Sequence, residues 1–311
     1  MAHNDITLKS LLMISALGIT WGGTFLVTEL ALEELGPFWL ASGRVGFGAV
    51  TMLAIWWATG FRLFAERPRR GTLAGLLAVG AFSTAFPFML LAWGQQHVTG
   101  GFAGVSMASV GLIVLPLAHF LVPGERLTLR RAIGFLVGFV GVAVLIGGQA
   151  FDTSGSEMEW AGRVACVGAA SCYGISSVLM RRLPSVDPLG LSTVILLIAT
   201  CMVIPTALAV EGPVPEVSGR GLAIIAFLGL VPTAAANLLR VLVVRSAGPV
   251  FMSLTNYQVP VWSLLMGAAF LGEPLPPTLI WALLLILAGV GLSQYGALKR
   301  LFAARAPRPR V

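Results

Sequence analysis

The stretch that decides the fold is residues 100–147, GGFAGVSMASVGLIVLPLAHFLVPGERLTLRRAIGFLVGFVGVAVLIG, which has a copy 148 residues later in residues 248–295. Each copy reads as an apolar helix, a Gly-Glu-x-Leu turn and a second apolar helix, so that Gly124-Glu125 matches Gly272-Glu273. Five apolar segments lie up to the end of the first copy and five more up to the end of the second. An odd number of membrane spans per repeat forces the second repeat to enter the membrane from the opposite face. The sequence therefore predicts two inverted five-helix repeats, residues 8–147 and 157–297.

The composition requires lipid as the solvent. Of the 311 residues, 57% are hydrophobic and 11% are charged, and a soluble domain of this length cannot bury that much apolar surface. The fold class predicted is an all-α integral membrane protein.

Ten stretches are long enough to cross a bilayer, which takes about 20 apolar residues in a helix. The connections between them are short and contain no inserted soluble domain. The predicted spans are Leu8–Leu30, Phe38–Ala58, Thr72–Trp93, Gly101–Val122, Arg131–Gly147, Glu159–Met180, Leu189–Val210, Gly221–Val244, Val250–Leu271 and Thr278–Tyr295.

The charges in the connections predict the orientation. Basic residues collect in alternate connections and in the tail 298–311, whereas the other connections hold mainly Glu33, Glu34, Asp152, Glu211 and Glu273. Lys and Arg are enriched on the cytoplasmic side of membrane proteins, so both termini and the tail are predicted to be cytoplasmic. The net charge of +7 is thus a signal of topology, and no nucleic-acid partner is expected.

Motifs for chemistry are absent from the sequence. The two lysines, Lys9 and Lys299, lie outside any G-x-x-x-x-G-K-[ST] loop, and neither H-E-x-x-H nor G-x-S-x-G occurs. The three cysteines lie within apolar segments without a CxxC spacing, which predicts free thiols. We expect no enzyme activity, no cofactor and no metal.

Polar and aromatic residues near the middle of the spans mark a candidate binding site, because unpaired polar groups are costly in lipid. Trp21-Gly22 aligns with Tyr173-Gly174 under the repeat, which would place two aromatic rings face to face about a pseudo-two-fold axis. Transporter substrate sites lie at such interfaces. Individual Ser and Thr residues could instead bond to their own helix, and the rings could serve packing alone. The predicted substrate-binding residues are Trp21, Thr24, Ser83, Phe86, Tyr173, Asn237, Asn256 and Tyr257.

The triplet Asn256-Tyr257-Gln258 is the strongest polar signal among the spans. Three consecutive polar side chains cannot all face one neighbouring helix, and two amides in lipid need partners. This pattern favours the lining of a wet cavity.

Two arginines lie within spans. Arg240 is five residues from Arg245, near the cytoplasmic end, where its side chain could extend to the interface. Arg44 lies seven residues after Pro37. It could reach the interface, pair with Glu29, or bind an anion at the outer mouth of a cavity.

Taken together, these features resemble the EamA family of the drug/metabolite transporter superfamily. The resemblance is carried by Trp21-Gly22, Pro37 with Arg44, and the two Gly-Glu-x-Leu turns, each followed by Gly-Val. The resemblance implies a ten-helix carrier built from two inverted repeats around a central cavity. Members of this family export amino acids, metabolites or drugs, so the resemblance implies export as the function. Trp21, Phe86, Tyr173 and Tyr257 would suit an aromatic amino acid. The small multidrug relatives carry a glutamate deep in their first helix, where this chain has Thr20 and Trp21.

The predicted function is a secondary transporter of the bacterial inner membrane that exports small amphipathic solutes by alternating access. The most favoured cargo is an amino acid. The expected partners of the protein are this small molecule and the lipid bilayer, and the protein is expected to act as a monomer. The alternative is a scaffold or lipid-handling protein that transports nothing and needs no polar lining.

Overall fold

A computed structural model describes residues 8–64, 71–121, 128–147, 157–247, 249–252 and 254–303. Within these ranges the chain is helical, and the single strand-like pairing there is an isolated bridge between Phe64 and Val186. The Gly124-Glu125 turn of the first copy, the arginines at 67–70, Asp152 and residues 304–311 lie outside the described ranges.

Most helices of the described residues follow the predicted spans to within a few residues. The last one extends past Tyr295 to Ala303, and the predicted span Val250–Leu271 is divided between a short helix at Pro249–Met252 and a helix over residues 255–271. Seven of the helices are long and apolar enough to cross a membrane. The helices are α1 (Leu8–Leu32), α2 (Pro37–Ala58), α3 (Thr72–Gly94), α4 (Gly100–Leu121), α5 (Leu129–Gly147), α6 (Glu159–Met180), α7 (Pro188–Val210), α8 (219–247), α9 (Pro249–Met252), α10 (255–271) and α11 (Pro277–Ala303).

Residues that favour helix starts define several boundaries. The Asp187 carboxylate accepts hydrogen bonds from Leu189 N and Gly190 N, both at 3.0 Å, and Pro188 occupies the first turn of α7. Such a side chain satisfies backbone N–H groups that have no partner within the helix, and proline there has no N–H to satisfy. Ser218 caps α8 and Thr99 caps α4 in the same way.

Two helices are interrupted by a π-helical turn at related positions. The turn spans Ala81–Ala85 in α3 and Gly229–Ala235 in α8, so the two turns begin 148 residues apart, the separation of the sequence repeat. Prolines accompany both, with Pro232 inside the second turn and Pro87 just after the first. Proline removes a backbone donor and disturbs the regular ladder. Turns of this kind often occur at functional sites.

Helices α5 and α11 pack against each other through glycine. A Cβ added at Gly289 would lie 2.5 Å from both Gly134 O and Gly138 N, so the two backbones touch. Their other faces expose apolar side chains such as Leu136 and Trp281. Small residues allow this close approach between helices in lipid.

The first half of α4 is buried, and its first turn is held by two carboxylates. Gly100 N donates to Glu29 Oε2 at 3.0 Å, and Gly101 N donates to Glu273 Oε2 at 2.8 Å. Ser263 of α10 adds a hydrogen bond from its hydroxyl to Gly100 O at 3.0 Å. The carboxylates satisfy free N–H groups and the positive end of the helix dipole. This end of α4 is therefore closed against α1, α10 and the segment after α10.

Candidate functional site

The Trp21 side chain lies against the π turn of α8. Its indole N–H donates to Pro232 O at 3.0 Å, across 211 residues of sequence. The ring also packs on a buried cluster that includes Phe25 and Phe102, as do Tyr173 and Tyr257. Three of the predicted aromatic residues therefore border one cluster.

Arg44 reaches the same π turn from α2. Its Nε donates to Thr233 Oγ1 at 3.1 Å, next to the residue that accepts from Trp21, and its guanidinium lies 4.1 Å from the centre of the Phe88 ring. Glu29 binds α4 instead, so Arg44 and Glu29 find different partners rather than each other. The Arg44 side chain thus points into the protein at the level of the Trp21 indole.

The Pro232–Thr233 segment collects two further groups. The Thr233 hydroxyl donates to Leu228 O at 2.8 Å, and Asn237 Nδ2 donates to Thr233 O at 2.5 Å. The π turn therefore brings together a predicted indole, a predicted amide and the membrane arginine.

The remaining predicted residues of α1 and α3 have local partners. The Thr24 hydroxyl is buried and donates to Thr20 O at 3.0 Å. Ser83 Oγ lies 3.4 Å from Thr84 Oγ1 within the π turn of α3. Phe86 contacts Phe82 edge to face at a centroid distance of 5.3 Å and packs on a second buried cluster, between α2, α3 and α7.

The three side chains of the polar triplet point in different directions. Gln258 packs against Gly18 of α1, where an added Cβ would lie 2.7 Å from Oε1. The Tyr257 hydroxyl is buried and has no hydrogen-bond partner in the described residues. Asn256 is exposed.

The exposure of Asn256 and Arg240 indicates space inside the helices. Asn256 shares a helix face with the buried residues Pro260 and Ser263, one and two turns on, whereas the exposed apolar Leu265 lies on the opposite face. Arg240 is likewise exposed, although Ala236 and Val243 on its own face are buried and Leu242 is exposed on the opposite face.

A third exposed polar residue, Ser177 of α6, repeats this arrangement. It shares its face with the buried Ala170 and lies one turn beyond Tyr173. Exposure on the inward face of a helix indicates space between the helices. Polar side chains around an apolar, partly enclosed space are the usual composition of a small-molecule site.

Sequence reasoning did not select Phe88, Ser177 or Thr233 for the candidate site. Phe88 reads as one apolar residue among many, and its role depends on the guanidinium placed over it by α2. The signal that could have found Thr233 is its position directly after Pro232, within a span, because a proline there frees backbone groups that polar side chains can bind. In the part of the chain that the structure describes, no group of His, Cys, Asp and Glu could hold a metal ion.

The long apolar helices of the described residues fit a multi-pass membrane protein. The chain belongs to the EamA-like transporter family, whose model matches residues 8–147 and 160–294. Its relatives are transporters rather than enzymes.

Two relatives extend over nearly the whole chain. One, from Streptantibioticus cattleyicolor, is named "Probable terminal-alkyne amino-acid exporter" and is 26% identical over 292 residues, which cover 93% of this chain and 94% of the relative. The other is the uncharacterized inner membrane transporter YedA of Escherichia coli K12, 26% identical over 296 residues, with 93% and 91% covered. A solved crystal structure, 20% identical, superposes with a TM-score of 0.64 over 96% of this chain and 99% of that chain. That structure therefore has the same fold.

Proposed function

We propose that this protein is an inner-membrane secondary transporter that exports small amphipathic metabolites, with amino acids, including aromatic ones, as its cargo. Ten spans, formed by residues 8–147 and 157–297 as inverted repeats, would surround a central cavity and open it to each side in turn. Both termini, with the basic tail 298–311, would lie in the cytoplasm, and the protein would act as a monomer. The amino-acid exporter among the relatives supports this cargo class.

The observation that carries the proposal is the convergence of Trp21, Arg44 and Asn237 on one π turn of α8. The turn is distorted at a position that the repeat matches in α3, and inverted-repeat transporters bind substrate at interrupted helices near the repeat interface. An indole and two tyrosine rings would cover the apolar part of a solute, while the Asn237 and Asn256 amides would bind its polar part.

The functional test is counterflow in proteoliposomes with the purified full-length chain and a panel of radiolabelled amino acids, with and without a pH gradient. Exchange of at least one labelled amino acid above the rate of empty liposomes is expected. Absence of exchange for the whole panel would favour the scaffold or lipid-handling alternative, which requires no polar lining.

The site within that function is tested by Trp21→Ala. Removal of the ring should cost about 1–3 kcal/mol of apolar contact, which lowers substrate affinity about tenfold or more at ~1.4 kcal/mol per decade. Radioligand binding in detergent measures this without relying on tryptophan fluorescence.

Two further variants serve as controls for the loss of affinity expected in Trp21→Ala. Trp21→Phe keeps an aromatic surface but loses the hydrogen bond to Pro232 O, so it should retain most of the affinity. Trp281→Ala removes an indole that is 62% exposed on the outer face of α11 and should leave affinity unchanged. Parental affinity in both Trp21→Ala and Asn256→Ala would place the substrate elsewhere.

A further inference from the structure

The candidate site contains two arginines without a matching carboxylate. The ion pairs of the described residues include Arg163 with Glu159 and Arg220 with Glu33. Arg44 instead contacts a hydroxyl and an aromatic ring, and neither Arg44 nor Arg240 has an ion-pair partner among the described residues.

Three acidic residues near helix ends are already bound to backbone N–H groups. Glu29 and Glu273 accept from the first turn of α4, and Glu211 accepts from Phe38 N and Trp39 N at the start of α2. These carboxylates satisfy N–H groups at the positive ends of helix dipoles. The site around the α8 turn is therefore left with positive charge and no fixed counter-charge in the described residues.

A charged guanidinium inside a membrane protein needs water or an anion to offset the loss of hydration. Arg44 uses Nε for Thr233, which leaves its Nη groups without an acceptor in the described residues. Guanidinium N–H groups form a planar fork that matches the two oxygens of a carboxylate. The packing of the guanidinium on Phe88 fixes the plane of that fork.

A polar track leads away from Arg44 along α8. Asn237 lies one turn after Thr233, and Arg240 lies three residues further on, so the three side chains follow one another on the inward face. Arg240 is exposed there. The track thus has one cation at its inner end and another at its exposed end.

We propose that this transporter recognises the carboxylate of its cargo through Arg44 and has no requirement for an amino group, with Arg240 attracting the anion along α8. The inference rests on the proposed transport function and specifies its substrate class as small aromatic or amphipathic carboxylates. Amines and amides of the same shape are then poor ligands.

The experiment compares three probes that differ in one group each: L-phenylalanine, its amide, which lacks the carboxylate, and 3-phenylpropanoate, which lacks the ammonium. Competition binding is measured with the purified parent and with Arg44→Gln, Arg44→Lys and Arg240→Gln. Arg220→Gln is the matched control, because Arg220 lies at the exposed start of α8 and pairs with Glu33 at 3.4 Å.

The parent is expected to bind both carboxylates at least about tenfold more tightly than the amide, the difference expected for a charge-assisted hydrogen bond. Arg44→Gln should remove this preference and leave amide binding unchanged, while Arg44→Lys retains part of it. Arg240→Gln should reduce the dependence of carboxylate binding on salt, because it removes one attracting charge. Arg220→Gln should behave like the parent.

Two results would overturn this inference without overturning the proposed transport function: equal affinity of the parent for the amide and the carboxylates, or an unchanged carboxylate preference in Arg44→Gln. Transport in the counterflow assay would survive either of them. A parent that neither binds these probes nor exchanges any amino acid of the panel would overturn the proposed function as well. Arg44→Lys keeps the positive charge. Its folded fraction, measured by size-exclusion chromatography, therefore distinguishes a loss of binding through misfolding from a loss of carboxylate recognition.

Discussion

At the scale of single residues, the acidic side chains near the helix ends act as caps for helices distant in sequence. The sequence analysis assigned Glu211 and Glu273 only to the less basic connections. In the structure Glu211 binds the start of α2 from the end of α7, with Oε1 2.9 Å from Phe38 N and Oε2 3.0 Å from Trp39 N. The sequence separation, 173 and 172 residues, explains why no local capping pattern predicts these bonds.

The cap on α2 is tested by Glu211→Ala. Two backbone N–H groups at the positive end of the helix would lose their acceptors, so the free energy of unfolding should fall by about 1–2 kcal/mol. Thermal unfolding of the purified protein in detergent measures this loss.

Glu216→Ala provides the matched control for the cap, because Glu216 is an exposed carboxylate of the same connection. Its removal should leave the melting temperature within error of the parent. Equal melting temperatures for Glu211→Ala and the parent would mean that water satisfies the start of α2 as well as the carboxylate does.

At the scale of helices, apolar length and turn residues predict most of the helix bounds to within a few residues. Glu159–Met180 agrees at both ends, and α2 and α7 each start one residue earlier than predicted, at a proline. The π turns of α3 and α8 were not predicted, because prolines indicate a kink but not its hydrogen-bond pattern. Of the site, Trp21, Tyr173 and Asn237 could be selected as polar-headed residues within apolar spans. Trp21 and Asn237 share a partner, the Pro232–Thr233 backbone, and for Trp21 this contact depends on the packing of α1 on α8.

The contact between α5 and α11 is tested by Gly289→Ala. The added methyl group would meet Gly134 O at 2.5 Å and the Gly138 backbone at 2.5–2.6 Å. Backbone atoms cannot rotate away, so the helices must separate. Overpacking of this kind should cost about 1–3 kcal/mol, read as a lower melting temperature in detergent.

Gly291→Ala is the control on the same helix, since an added Cβ there meets nothing within 4 Å. Because alanine favours a helix over glycine by up to ~1 kcal/mol, this variant should be as stable as the parent or more so. A similar loss in both variants would show that helix propensity, not the contact with Gly134, decides the effect.

At the scale of the whole molecule, the two ends of the bundle differ. Around the start of α4, carboxylates and the Ser263 hydroxyl tie three helices together, and Ser106 is fully buried. Toward the other end, Asn256, Arg240 and Ser177 are exposed on inward faces. This asymmetry corresponds to a carrier that is closed on one side and accessible from the other. From the distribution of Arg181, Arg182 and Arg245 in the sequence, we predict that the accessible side is cytoplasmic.

The side of access is tested by single-cysteine labelling in a background without Cys166, Cys172 and Cys201. We expect a membrane-impermeant maleimide to modify Asn256→Cys and Ser177→Cys in inverted vesicles, where the cytoplasmic face is outside. Ser106→Cys and Ser263→Cys should be modified much more slowly than these two positions, because both are buried in the closed contact of α4 with α10.

Adding Glu273→Ala links this accessibility to the α4 contact. Loss of its hydrogen bond from Gly101 N weakens the closure, so conformations open at the start of α4 gain population. Ser106→Cys should then be labelled in right-side-out cells faster than in the parent background. Since alternating access requires the same contact to break during transport, unchanged labelling of Ser106→Cys would contradict a closing role for Glu273. Labelling of Asn256→Cys only from the periplasmic face would reverse the orientation itself.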